Sequence, residues 1–170
     1  AGLAGGRPTV VVRDTTTGAV KATLLGHEGA ITSVAFSADK LKLLSGSADK
    51  TARVWNLADP KSPEIAKFEG HTNSVTAPAF SPDSQFAFTG AADNSLKQWK
   101  IADNTEVRPF AGHTKAVSAV AVVGTTLVSG SADMTVRLWN IATGAAIRSV
   151  DHAALVTCVS IMSDGKLLAS

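Results

Sequence analysis

Apolar residues along this chain come in short bursts, and no stretch repeats them at the three-to-four spacing of an amphipathic helix. The bursts are bounded by Gly, Asp, Asn, Ser and Pro, the punctuation that separates strands. Taken in order, the pattern predicts strands over Thr9–Val12, Ala19–Leu25, Ile31–Phe36, Leu41–Ser45 and Thr51–Trp55. After a loop holding Pro60 and Pro63 it predicts Glu64–Phe68, then Val75–Phe80, Phe86–Thr89, Ser95–Trp99 and Glu106–Phe110. A third unit follows with a clipped first turn, Val123-Gly124-Thr125, and a fourth opens at Asp151-His152 and reaches its second strand by Ser170. Residues 1–7 read as a small, glycine-rich lead-in, so that the chain begins at the third strand of a unit. Short strands and no helix predict an all-β chain.

The units are copies of one another. Gly46–Asn56 (GSADKTARVWN) recurs as Gly90–Lys100 (GAADNSLKQWK) and Gly130–Asn140 (GSADMTVRLWN). Each copy follows a Gly-His pair, Gly26-His27, Gly70-His71 or Gly112-His113. A period near 40 residues, Gly-His towards one end and Trp towards the other, resembles the WD-repeat (WD40) β-propeller family. The resemblance implies about four blade equivalents. These are a half-blade over 1–25, full blades over 26–69, 70–111 and 112–150, and a half-blade over 151–170. Arg7 and Arg13-Asp14 stand where the other copies have Asp49 and Trp55-Asn56, and the family's Trp-Asp is Trp-Asn or Trp-Lys here. Because stacked repeats bury one another's faces, the expectation is a fragment of a larger ring, about seven or eight blades in the family. The alternative is a homodimer closing an eight-bladed ring by half-blade pairing.

Candidate chemistry lies in the repeated polar residues. His27, Ser45 and Asp49 have the composition of a hydrolytic triad, and so do His71, Thr89, Asp93 and His113, Ser129, Asp133. A catalytic triad is needed once, with its nucleophile on an exposed elbow, whereas these hydroxyls fall inside predicted strands. Each set also ends on a tryptophan, Trp55, Trp99 or Trp139, whose buried N–H needs a partner. The resemblance implies a structural tetrad, Asp to His to hydroxyl to indole, and that reading stands ahead of catalysis.

A metal is not expected. His27, His71, His113 and His152 fall one per repeat, too dispersed to converge on one ion. The glycine turns lack a phosphate-cradling motif, and no cofactor is expected. The lone cysteine, Cys158, reads as a small buried hydrophobe beside Val156 and Val159. Pro78 lies inside a first strand, tolerable only at a sheet edge, which in a propeller faces the central channel.

Bulk numbers narrow the partner. With 170 residues, 45% apolar, a formal charge of +2 and no basic cluster, neither nucleic acid nor a membrane is expected as partner. A single cysteine suits a reducing compartment, cytoplasmic by default. Protein or peptide binding on a loop rim is the remaining expectation, with Glu28, Lys50, Asn73, Asn94, Lys115 and Met134 as its residues. The turn alanines Ala48, Ala92 and Ala132 offer no large anchor there, and tyrosine is absent. The function expected is thus a non-catalytic interaction scaffold, or else an accessory portion of a larger enzyme or multidomain protein.

Overall fold

The computed structural model describes residues 2–4, 6–59 and 63–170, with side chains from residue 6 onward; Pro60 of the expected loop lies outside the described residues. Among the described residues there is no helix, and the chain is all-β. The first sheet holds β1 (Gly2–Ala4), β2 (Arg7–Arg13) and β3 (Val20–Leu25). Three four-stranded antiparallel meanders follow. They are β4 (Ile31–Phe36), β5 (Lys42–Ser47), β6 (Ala52–Asn56), β7 (Glu64–Phe68); β8 (Val75–Phe80), β9 (Phe86–Ala91), β10 (Leu96–Lys100), β11 (Thr105–Phe110); and β12 (Val117–Val123), β13 (Thr126–Ser131), β14 (Thr135–Asn140), β15 (Ala146–Asp151). A last hairpin pairs β16 (Ser160–Ile161) with β17 (Leu168–Ala169). The arrangement is a partial propeller of repeated sheets.

Three details depart from the sequence reading. The lead-in forms a strand, β1, hairpinned onto β2, so the chain does not begin at a third strand. Asp151 ends β15, paired with Thr135, and does not open the next unit. Cys158 is exposed, because it precedes the two-residue β16 and no further sheet covers it. Its equivalent Ala77 in β8 is 6% exposed.

Each sheet buries its face against the next. Val10 and Leu24 of the first sheet pack on Leu43 and Trp55. Val54, Ala66 and Phe68 pack on Val75, Ala87 and Trp99, with the Phe68 and Trp99 rings stacked at 5.2 Å. Phe88, Leu96 and Phe110 pack on Val117, Leu127 and Trp139, and Phe110 meets Trp139 edge-on at 5.9 Å. Val128 and Val136 pack on Val156. The core is therefore a chain of interfaces, each tryptophan carrying the load of the one before it, as stacked repeats require.

Inner strands also bond to one another through side chains. Thr32 Oγ1 donates to the Val75 carbonyl, Thr76 Oγ1 to that of Val117 and Ser118 Oγ to that of Val156. In each repeat a hydroxyl thus satisfies a carbonyl at the free edge of the neighbouring sheet, and Ser33 Oγ adds a second such bond, to the Thr76 carbonyl at 2.7 Å. The approach is close enough to demand glycine opposite it. A Cβ on Gly90 would lie 2.5 Å from Val117 Cγ1. Pro78, in β8 at the edge of its sheet, interrupts no ladder on its free side.

Candidate functional site

The structure brings the four repeated polar side chains together in every full sheet. The histidine comes from the loop before the first strand, the hydroxyl from the second strand, the aspartate from the turn after it and the tryptophan from the third strand. His27 Nδ1 lies 2.8 Å from Asp49 Oδ2, His27 Nε2 lies 2.7 Å from Ser45 Oγ, and Trp55 Nε1 donates to Ser45 Oγ at 2.8 Å. The next set repeats this at 3.0, 2.7 and 2.7 Å for His71–Asp93, His71–Thr89 and Trp99–Thr89. The third set gives 2.8, 2.7 and 2.8 Å for His113–Asp133, His113–Ser129 and Trp139–Ser129.

Donor inventory settles where the protons are. The indole N–H can only donate, so the hydroxyl accepts it and turns its own proton to Nε2; the imidazole proton then sits on Nδ1 and faces the carboxylate. Burial, the largest influence, lowers the pKa of His27, His71 and His113, and the aspartates oppose it without prevailing. Each imidazole is neutral at pH 7, so its contact with aspartate is a hydrogen bond between a neutral ring and an anion. Burial also acts most strongly on Asp93, upwards, yet donors from Ser95, Thr72 and His71 outweigh it and hold the carboxyl down to about 2. Asp49 and Asp133 lie below the ordinary range by the same balance.

The network is wider than the four residue types. The residue two after each aspartate, Thr51, Ser95 or Thr135, donates both its hydroxyl and its N–H to the carboxylate. The N–H after each histidine, on Glu28, Thr72 and Thr114, reaches the other carboxylate oxygen at 3.0, 2.8 and 3.0 Å. An Asp-x-[Ser/Thr] step in all three copies was the available signal for the first set. Gly70 belongs to the same construction. Its φ is +140°, and a Cβ there would meet Trp99 at 3.3 Å.

These hydroxyls are poor nucleophiles by position. Ser45, Thr89 and Ser129 are 0% exposed, each with a lone pair engaged by an indole and its proton by an imidazole. Nothing could approach them without opening the sheet. A fourth copy is half assembled, which the sequence reading did not foresee. His152 Nε2 lies 3.0 Å from Ser170 Oγ, the same histidine–hydroxyl pair. Among the described residues no group of three or more His, Cys, Asp or Glu side chains could hold a metal ion.

Glu28, Lys50, Asn73, Asn94, Lys115 and Met134 are all exposed, on the loops and turns that the tetrads tie together. Three of them also serve the backbone. Lys50, Asn94 and Met134 have φ of 71°, 69° and 65°, the left-handed region in which Asn is at ease and Lys or Met is not. Among the described residues no helix is long and apolar enough to cross a membrane.

Compared with known proteins, the chain matches the WD40 family (WD domain, G-beta repeat) over residues 18–56, 62–100 and 104–140. It is also similar to the ribosome biogenesis protein BOP1 homolog of Drosophila persimilis, 45% identical over 60 residues. The homologs of Drosophila melanogaster and Drosophila willistoni are 45% and 43% identical over the same length. Each match covers 34% of this chain and 8% of the relative, so only a small part of those longer proteins is shared. With the family matched over more than half its length, this chain belongs to the WD40, or G-beta repeat, proteins.

Proposed function

We propose that this chain is a non-catalytic protein-interaction scaffold, part of a larger propeller, that docks a protein partner on the rim bearing Glu28, Lys50, Asn73, Asn94, Lys115 and Met134. WD40 repeats indicate an interaction scaffold. The observation that carries the non-catalytic reading is the threefold burial of the His–hydroxyl–Asp set: each hydroxyl is 0% exposed and fully engaged. The tetrads then act as rivets, holding the exposed loops above them in one geometry.

The relatives' role suggests a component of a ribosome-assembly particle as the first partner class to try. Affinity purification from cells expressing the full-length parent protein, with and without Lys50→Glu and Lys115→Glu, tests the rim. A stoichiometric partner lost in the double variant supports the reading; a partner retained at full strength refutes the rim as its site.

Completion of the ring is favoured by one position. Leu24, Phe68 and Phe110 are buried under the next sheet at 2%, 1% and 1%, whereas their equivalent Val150 is 39% exposed. Further blades of a longer chain would cover it. A second copy pairing half-blades would bring Arg7 and Arg13 to His152 and Ser170, supplying neither the aspartate nor the indole. The mass in solution separates the two.

A further inference from the structure

We propose that the crevice between the β8–β11 and β12–β15 sheets binds a peptide segment, recognised through the side-chain amide of Gln98. This site is distinct from the rim above. It opens among the turn at Ser81–Asp83, the turn at Gly124–Thr125 and the Ile141–Ala142 corner, which belong to the opposite side of the sheets.

The argument rests on a comparison between repeats. In the preceding sheet the cross-strand pair Val54–Ala66 belongs, with Ile101, to one buried apolar cluster. The first sheet has Val12–Ala22 at this place. In the β8–β11 sheet the same register holds Gln98–Arg108, and Ile141 replaces Ile101. There the crevice stays open, with a volume of about 540 Å³ walled by Phe86, Val107 and Ile141, a size that suits a small ligand or peptide side chain.

Two buried polar atoms at that position go unanswered within the described chain. Gln98 is 4% exposed and its Oε1 finds no hydrogen-bond partner, and neither does the buried Nε of Arg108. The guanidinium's other end donates to the Ala142 carbonyl across the crevice, which pins the arginine in place. A fold gains nothing from an unanswered carboxamide where its own repeats put valine and leucine. A peptide unit answers it. In an extended segment the N–H and C=O of one residue point to the same side, so they match the Gln98 amide in either orientation of that amide. A following carbonyl can accept from Arg108 Nε–H, and a leucine-sized side chain fills the space between Phe86, Val107 and Ile141.

The test is an NMR titration of the isotope-labelled chain with N-acetyl-leucine methylamide, the smallest probe carrying two peptide bonds and one apolar side chain. Expected are saturable shifts of the Gln98 side-chain amide and of the Val107 and Ile141 backbone amides, with a roughly millimolar dissociation constant for so small a probe. The diester analogue, methyl 2-acetoxy-4-methylpentanoate, in which oxygen replaces both N–H groups, binds about tenfold more weakly, because a buried acceptor is then left unpaired. Gln98→Leu, the residue Leu138 supplies at the same place, removes the shifts while the unfolding temperature holds or rises. No saturable shift at Gln98, equal binding of amide and ester, or unchanged binding by Gln98→Leu would each overturn the proposal. Should that variant fail to fold, the amide–ester comparison on the unaltered chain decides alone.

Discussion

Replacing Thr89 by valine isolates what the tetrad hydroxyl contributes. The substitution keeps the side chain's shape and exchanges one hydroxyl for a methyl group. Thr89 is 0% exposed, and its two partners, Trp99 and His71, are 2% and 6% exposed. Both hydrogen bonds, 2.7 Å each, vanish together. The indole N–H and the imidazole Nε2 are then buried without partners, at about 1–3 kcal/mol apiece, against a return of up to about 1 kcal/mol for the added methyl. The net loss is about 1–6 kcal/mol, and for a chain of this size it lowers the unfolding temperature by about 2–24 °C. Thermal and urea unfolding, followed by far-UV circular dichroism and indole fluorescence, measure it. Thr89→Ser serves as the control, since serine already fills the position at Ser45 and Ser129, and it should stay within about 1 kcal/mol of the parent. If Thr89→Val unfolded within about 0.5 kcal/mol of the parent, or Thr89→Ser were as damaging, the tetrad would not be holding the sheet as argued.

Stability should also fall with acid in two stages. The folded pKa values of His27, His71 and His113 lie below the ordinary value of 6.5. Protons below that pH therefore go to the unfolded chain first, and stability present above about 6.5 is lost as the pH falls towards the folded values. Asp93, held at about 2 against an ordinary 3.8, adds a further loss between those limits; urea midpoints equal at pH 8 and pH 5 would contradict the first stage. Gly90→Ala should destabilise by about 1–3 kcal/mol, since its methyl meets Val117 at 2.5 Å, and a double variant with Val117→Ala should recover part of that in the same unfolding assay. Met134→Asn, placing at φ 65° the residue that Asn94 already supplies, should raise the unfolding midpoint by about 0.5–1 kcal/mol.

Much of this protein was legible before any coordinates, because its information is local and repeated. Strand periodicity, the turn residues and the Gly-His and Trp markers each follow from neighbours a few positions apart, and three copies of GSADKTARVWN averaged out the noise of any one. The tetrads could be named for the same reason: a histidine, a hydroxyl and an aspartate recurring ahead of each tryptophan are a pattern in one dimension.

What remained hidden depends on which surface lies opposite. Cys158 has a buried counterpart in Ala77 and yet is exposed, since burial belongs to the covering sheet and not to the residue. Nothing in Thr32, Thr76 or Ser118 announces that each reaches a carbonyl some 40 residues on in the next sheet. Nor does a glutamine at 98 look unusual until Val54 and Leu138 are seen in its register and a crevice is found open beside it. Local pattern determined the strands, their order within each sheet and the side chains that rivet them. Tertiary packing alone decided which polar groups were answered and which were left facing a cavity, because hydrogen bonding and burial are properties of pairs of surfaces.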